Sequence, residues 1–464
     1  MKLKRKEDLS WRRLDNYAKL FPLASTKKYS SVFRISITLK EKIEPQILEK
    51  SVKKALEKFK LFKVRMRRAL FWYYFETNTK TVPIEEEHDY PCKYIDLPAN
   101  NDYLFKITYF ENKINLDIFH CLTDGNNALH FLKEITYNYI DIVHFNNTMK
   151  CNTQERKINY NSVDSYSQNF NKKLKGEGKG EKAYILTGRN LVPGIIRVTH
   201  EYIEMDKLKK IAKEKNSTIT QYLTAVLVYA IYKEQQKSNK INRPIKISVP
   251  VNLKKYFPSK TISNFFSYID VNIYANRERD FNNILEAVKR EFNLKLQKEE
   301  LLKTIATNIK LSRNPFLRIV PLFIKKKVVE IAYKERRKYN TTTLASIGRI
   351  GFLAEYKKFI DKVYFLIAPE TIEKIKCTAC TVDNTIIFTI TSVIENTNVE
   401  TNITQFLEEK GIAIWIKKNS DVTQILTDLF SNSHKLEEMK ENTKLLAKPN
   451  STKDICDILL KIDN

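Results

Sequence analysis

The sequence predicts an α/β protein of two pseudo-symmetric halves, each a mixed sheet with flanking helices, with a cleft between them. Three observations carry that expectation. Strand-like alternation gives way to helical periodicity in both halves of the chain. A polar, glycine-bearing stretch separates the halves. The length of 464 residues exceeds what one compact core serves.

In the first half, "KYSSVFRISITLKEKIEPQILEKSVKKALEKF" alternates as a strand, then turns helical after Pro45. Proline suits the first helical turn, and Ile47, Val52, Leu56 and Phe59 share one helical face. Strand-like runs follow at "LFWYYFETN", "YLFKITYFEN" and "KINLDIFH", and a helix runs through "ALHFLKEITYNYIDIV". Gly176, Gly178 and Gly180 lie in "NKKLKGEGKGEKAY". Their spacing fits neither a P-loop nor GxGxxG, so this stretch reads as a linker or surface loop.

The second half repeats the outline. "IIRVTHEYIEMDKLKKIAKEK" gives a strand and a helix, and "STITQYLTAVLVYAIYKEQQ" gives a helix opened by a Thr218–Gln221 capping box. "RPIKISVPVNL", "FFSYIDVNIYA", "KVYFLIAP", "KIKCTACTV" and "NTIIFTITSVI" are strand-like, before the helix "NVETNITQFLEEKGI". Residues 296–340 are helical, apolar and basic in alternating pieces. Such a segment packs on the body, lies on a membrane or lines a lipid-like acceptor site. The expected division is an N-terminal lobe at 1–170, a linker at 171–184, a C-terminal lobe at 185–420 and a helical tail at 421–464.

The composition, 42% hydrophobic and 29% charged, is that of a globular protein. The net charge of +27 is diffuse and mostly lysine, without a dense basic block or a nucleic-acid motif. Nucleic acid is therefore not expected as a partner; a diffuse positive field serves anionic substrates or an acidic membrane surface. Six cysteines, at 92, 121, 151, 377, 380 and 456, are too scattered for a disulfide framework. Cys377 and Cys380 have CxxC spacing but sit in a strand-like run with no second ligand pair, so no metal is expected. The N-terminus lacks the apolar core of a secretory signal, and no run reaches the roughly 18 apolar residues of a membrane span. The expectation is a cytoplasmic protein, peripheral to a membrane if residues 311–339 touch one.

One run concentrates chemistry. "FHCLTDGNNALHFL" places His120, Asp124 and Gly125 between a strand and a helix, in a chain with only 6 His and 9 Gly. Leu116, Ile118 and His120 share one face of the strand, with His120 at its end. Imidazole titrates near neutrality and can take a proton from a hydroxyl or amine attacking a carbonyl. Asp124 can orient the histidine or pair with a cation from the other half, and Gly125 would permit a sharp turn into the helix. A histidine at a strand end also serves purely structural roles, and Asp-Gly is a common turn pair. No serine-hydrolase elbow, metal cluster or nucleotide loop competes with it.

"HCLTDG" fits HxxxDG, the signature of the CoA-dependent acyltransferase superfamily, which includes chloramphenicol acetyltransferase, peptide-synthetase condensation domains and plant BAHD enzymes. "WRRLDNYAKLFP", "LFWYYFETN", "FHCLTDGNNALHFLKEI", "ISVPVNLKKYFPSKTISNFFSYI" and "FLEEKGI" resemble, in order, its bacterial alcohol acetyltransferase branch. The resemblance implies two chloramphenicol-acetyltransferase-like lobes with an active-site tunnel between them. It implies direct O-acyl transfer (N-acyl transfer not excluded) from acyl-CoA, or an acyl carrier protein, to a hydroxyl acceptor. CoA is then a co-substrate and no cofactor is bound. His120 would be the general base, without a covalent acyl-enzyme, and Asp124 would hold the loop. Relatives pair that Asp with an Arg; the matching residue here is Lys254, which lacks the bidentate fork. Asn264 in "SNFF" is the candidate polar group beside the site, its alternative role being a turn residue. Thr343 or Ser346, in "TTLASIGRIG", would stabilise the oxyanion. The departures at Lys254 and Ala345-Ser346 leave room for a rival, a catalytically silent condensation-like module that binds a carrier protein or partner.

Overall fold

The computed structural model describes residues 11–145, 164–174, 180–238, 242–261, 263–275, 280–314 and 319–412. The tail expected at 421–464, the linker glycines Gly176 and Gly178, and Cys151 and Cys456 lie outside the described residues. The first half supplies β1 (Trp11–Arg13), β2 (Val32–Leu39), β3 (Val64–Arg68), β4 (Tyr73–Thr77), β5 (Ile84–Glu86), β6 (Phe105–Phe110) and β7 (Lys113–Phe119). The second supplies β8 (Arg197–Glu204), β9 (Ile245–Asn252), β10 (Phe266–Ile273), β11 (Thr342–Ile350), β12 (Ile360–Ile367), β13 (Ile375–Val382) and β14 (Thr385–Ser392).

These strands form a five-stranded sheet in the order β12-β2-β7-β6-β5, a six-stranded sheet in the order β10-β9-β11-β13-β14-β8, and a small sheet β1-β4-β3. Both large sheets are mixed: β5 runs parallel to β6, and β11 runs parallel to β9 and β13. The architecture is thus α/β with helix-flanked mixed sheets, as expected. The sheets do not divide at the glycine-bearing stretch, however. β12 belongs by sequence to the second half, yet it pairs antiparallel with β2 from Val32–Leu39. Chain order and sheet membership therefore part company at residues 360–367.

Side-chain alternation explains how the sheets are covered. On β14, Ile386, Phe388 and Ile390 enter the second-half core while Ile387 enters the first-half core. A strand buried on both faces reads as a nearly unbroken apolar run, which "TIIFTITS" is. On β7, Ile114, Leu116 and Ile118 are fully buried. The opposite face of that sheet carries a buried ion pair, Arg34 Nη2 donating to Asp117 Oδ2 at 2.6 Å. The helix Pro45–Lys58 begins on Pro45, as expected, and buries Leu48, Val52, Ala55 and Leu56. It packs with the helix Gly125–Phe145, and beside them Phe62 meets Phe131 at 4.5 Å between ring centroids. Truncating such a buried Phe costs about 3–5 kcal/mol.

In the second half, the helix Ile219–Gln235 opens on the expected capping box, with the Gln221 N–H donating to Thr218 Oγ1 at 3.2 Å. Cys377 and Cys380 lie buried on β13 without a disulfide. Three residues apart on a strand, they point to opposite faces, so CxxC spacing cannot bring them together. Among the described residues no group of His, Cys, Asp and Glu could hold a metal ion, and no helix is long and apolar enough to cross a membrane.

Candidate active site

His120 directly follows β7, and the ladder fixes its backbone: its N–H donates to Ser31 O at 2.9 Å. Phe21 stacks on the imidazole, 4.6 Å between centroids and 9° between planes. Phe33 and Phe266 approach at 4.9 and 5.0 Å. Three aromatic neighbours leave the ring little rotational freedom.

Asn264, from the segment before β10, decides the tautomer. Its Nδ2 donates to the His120 carbonyl at 3.0 Å, so its Oδ1 is the atom 3.1 Å from His120 Nδ1. An amide oxygen only accepts. His120 Nδ1 therefore carries the proton, and Nε2 is the unprotonated nitrogen of a ring that lines the cavity. Burial lowers the His120 pKa below the ordinary value of 6.5, against the opposing pull of backbone carbonyls, Asp124 and Asn264. The imidazole is thus neutral at neutral pH, with its basic nitrogen free. Asn264, expected either as a site residue or as a turn residue, holds the candidate base.

Asp124 is buried and caps the helix Gly125–Phe145: its Oδ1 accepts from the Asn127 N–H at 3.1 Å. Its Oδ2 accepts from the Phe265 N–H at 3.3 Å, tying the motif loop to the second half. The expected cation pairing takes a different form. Lys254 Nζ donates to Asn127 Oδ1 at 2.9 Å rather than to the carboxylate, so Asn127 bridges Lys254 and Asp124. Burial lowers the Lys254 pKa, and the charge of Asp124 opposes that shift. A lysine reaches one acceptor as a point charge, where an arginine fork would have spanned two.

Gly125 also corrects an expectation. It has no left-handed backbone, and a Cβ built on it would meet Phe365 Cζ at 3.8 Å, an ordinary contact. Its place on the cavity wall is what distinguishes it: a larger side chain there would enter the space beside His120.

The cavity, of about 540 Å³, is lined from the first half by Phe33, Tyr90, His120 and Asp124 and from the second by Pro250, Tyr268, Thr343, Ser346 and Lys376. That volume suits a small organic substrate. Thr343 and Ser346 both stand on β11 and both line it, but their protons differ. Thr343 Oγ1 donates to Glu373 Oε2 at 3.0 Å, which commits its proton. Burial pushes Glu373 up, but Lys376 and Arg337, with hydrogen bonds from Asn340 and Thr343, outweigh it and hold the carboxyl below its ordinary value. Ser346 Oγ accepts from the Gly348 N–H at 3.2 Å, which leaves its own proton to donate. A β-bulge between Ser346 and Gly348 sets that geometry.

The structure therefore gathers His120, Asp124, Gly125, Asn264, Thr343 and Ser346 at one cavity wall or immediately behind it, with Lys254 behind Asn127. Sequence reasoning missed Asp15, whose Oδ2 lies 3.4 Å from Asn264 Nδ2, and the aromatic clamp of Phe21, Phe33 and Phe266. "WRRLDNYAKLFP" held two of these, Asp15 and Phe21, but nothing local shows that Phe21 meets His120, 99 positions on, or that Asp15 meets Asn264, 249 positions on.

The fold of helix-flanked mixed sheets is shared with solved structures of acetyltransferases and condensation domains. Residues 157–315 match the alcohol acetyltransferase family model. That segment begins after His120, so the match and the HxxxDG motif are separate stretches of sequence. TRI101 of F. sporotrichioides, solved with coenzyme A and T-2, superposes with a TM-score of 0.57 at 10% identity, covering 87% of this chain and 99% of that one. The trichothecene 15-O-acetyltransferase TRI3 from Fusarium sporotrichioides gives 0.54 at 10% identity, covering 87% and 94%. The starter condensation domain of rhizomide synthetase RzmA, solved with C8-CoA, gives 0.56 at 10% identity, covering 89% and 98%. No curated protein sequence is significantly similar to the chain. The resemblance to the CoA-dependent acyltransferases, and to their alcohol acetyltransferase branch, is upheld by the fold and by the family match.

Proposed function

We propose that this protein is an acyl-CoA-dependent O-acyltransferase acting in the cytoplasm, with His120 as general base. The observation that carries the reading is the Asn264 contact, which leaves His120 Nε2 unprotonated in a ring lining the cavity. In the reaction, Nε2 takes the proton of the acceptor hydroxyl as its oxygen attacks the thioester carbonyl carbon. The Ser346 hydroxyl donates to the oxyanion of the tetrahedral intermediate. Collapse breaks the C–S bond, and the imidazolium returns its proton to the departing thiolate. No acyl group becomes attached to the protein. Asp124, Gly125, Asn127 and Lys254 shape the loop, and Thr343 anchors Glu373.

The co-crystallised partners of the solved relatives support this reading: coenzyme A with T-2 in one case, C8-CoA in another. An acyl carrier protein presents the same thioester and is the alternative donor. Contact with a membrane periphery through residues 311–339 belongs to the same proposal. On the helix Leu322–Arg336, Ile324, Val328 and Ile331 are exposed, while Tyr333 lines the cavity. A lipid-borne hydroxyl would then enter beside that helix.

The test is thiol release from a panel of acyl-CoAs, and from acyl carrier proteins, with pooled alcohol, sugar and lipid acceptors. Acceptor-dependent release by the native chain, lost in His120→Ala with its fold intact, is the expected result. Undiminished release by His120→Ala removes the base from the mechanism. No release from the native chain with any donor and acceptor favours a silent condensation-like module.

A further inference from the structure

We propose that Asp15 is a positioning residue: its carboxylate holds the Asn264 amide in the orientation that keeps His120 Nε2 free of a proton. The inference rests on the assignment of His120 as the base. Asp15 is buried in the turn that follows β1. Its Oδ1 accepts from the Tyr17 and Ala18 N–H groups at 2.9 and 2.7 Å, which fixes the rotation of the carboxylate. Its Oδ2 then faces Asn264 Nδ2 at 3.4 Å. Nδ2 has two hydrogens, and the other goes to the His120 carbonyl at 3.0 Å. With both hydrogens committed, Oδ1 is the atom left for the imidazole.

An amide turned by 180° would set its oxygen against both the Asp15 carboxylate and the His120 carbonyl. It would also offer an N–H to His120 Nδ1, making that atom the acceptor and moving the proton to Nε2. A base with the wrong tautomer cannot take the acceptor proton. Within the HxxxDG motif the backbone carbonyls of His120 and Thr123 also act on the ring; Asp15 and Asn264 add their constraint from outside it.

Other groups face Asp15. Arg12, on β1, and Cys121, beside His120, feel its charge. Asp164 and the phenol of Tyr166 approach from the short helix Ser165–Gln168 and its N-cap. Burial raises the Asp15 pKa to about 6, partly offset by the Ala18 N–H and raised further by Asp164. The charge of the carboxylate therefore varies with pH near 6, and Asp15→Asn and Asp15→Ala abolish it equally.

Asp15→Asn and Asp15→Ala both remove the charge, so anything owed to Arg12 or Asp164 is common to them. Asparagine keeps an oxygen for the Tyr17 and Ala18 N–H groups, and so turns its NH2 towards Asn264 Nδ2. Donor then meets donor, which favours the turned amide. Alanine strips those two N–H groups of their partner but leaves Asn264 its bond to the His120 carbonyl. The expected order is therefore inverted between two readouts: Asp15→Asn melts higher than Asp15→Ala yet has the lower kcat, about tenfold or more below it, with KM for acyl-CoA unchanged. Ring 15N shifts of labelled His120, assigned by their absence in His120→Ala, should show Nε2 protonated in Asp15→Asn and Nδ1 protonated in the native chain and in Asp15→Ala. A kcat order that follows melting temperature, or one tautomer in all three proteins, overturns the proposal. Because the shifts need no turnover, they decide it even where the native chain transfers no acyl group to any acceptor tried.

Discussion

His120 shows what a sequence motif can and cannot specify at the scale of a residue. HxxxDG nominates a histidine and an aspartate, and the local pattern puts the first at a strand end and the second at a helix start. Both placements were legible because each depends only on neighbours in sequence. The tautomer depends on Asn264, 144 positions away, and the cation expected beside Asp124 is redirected through Asn127. Neither contact has a local signature. Burial has a measurable consequence here. It disfavours the imidazolium, so the His120 pKa falls below 6.5 and the neutral imidazole persists to lower pH than a solvent-exposed one would. In the free enzyme, kcat/KM against pH should rise through an inflection below that value and stay level across neutrality. An inflection at or above the ordinary imidazole value would show that the ring is not desolvated during catalysis.

At the scale of an element, β11 is the instructive miss. "TTLASIGRIG" did not read as a strand, because glycine weakens strand patterns and two of the nine glycines stand there. The structure explains the glycine at 348: φ is +78°, on the far side of a bulge that shifts the register between Ser346 and Gly348. An L-residue pays a conformational penalty at such a φ, of about 1–2 kcal/mol. Nothing lies within 4 Å of a Cβ built at Gly348, so that penalty stands alone, without a clash. Gly348→Ala should therefore cost about 1–2 kcal/mol of stability and lower kcat more than that loss accounts for, because the bulge relaxes and the Gly348 N–H leaves Ser346. Denaturant melts and steady-state kinetics check both. Gly351→Ala is the control, since a Cβ there also meets nothing within 4 Å and its φ is not left-handed. Equal effects at the two positions would remove the bulge from the oxyanion argument. By contrast, the Pro45 and Thr218–Gln221 helix starts were legible in the sequence because a cap is a signal written within four residues.

Over the whole molecule, the two-lobed α/β plan was legible and the exchange of β12 was not, because repeat content is a sum over segments while sheet membership is a matter of non-local pairing. The same division governs residues 311–339, whose composition allowed either packing or membrane contact. The helix Leu322–Arg336 has a packed face and, opposite it, an apolar face turned outward. Leu322 and Lys325 are buried, and Lys325 Nζ donates to Phe71 O at 2.9 Å while sitting 3.7 Å from the Trp72 ring centroid. Outward stand Phe323, Ile324, Val328 and Ile331, 42–64% exposed, with Leu70 at 66% on the adjoining loop. An ordinary surface helix turns its charged side to water; here the side facing away from the body carries an apolar ridge, flanked by exposed Lys326, Lys327 and Lys334. Apolar insertion beside lysines suits an anionic lipid interface, and the net charge of +27 acts in the same direction. The full chain should accordingly co-sediment with vesicles containing phosphatidylglycerol and much less with phosphatidylcholine alone, and release progressively as salt rises. Replacing Ile324, Val328 and Ile331 together with Glu should abolish that binding, yet leave turnover of a soluble acyl-CoA with a water-soluble alcohol unchanged. Binding that survives the triple replacement would place the contact elsewhere on the basic surface, and no binding at low salt would leave the ridge without a lipid partner.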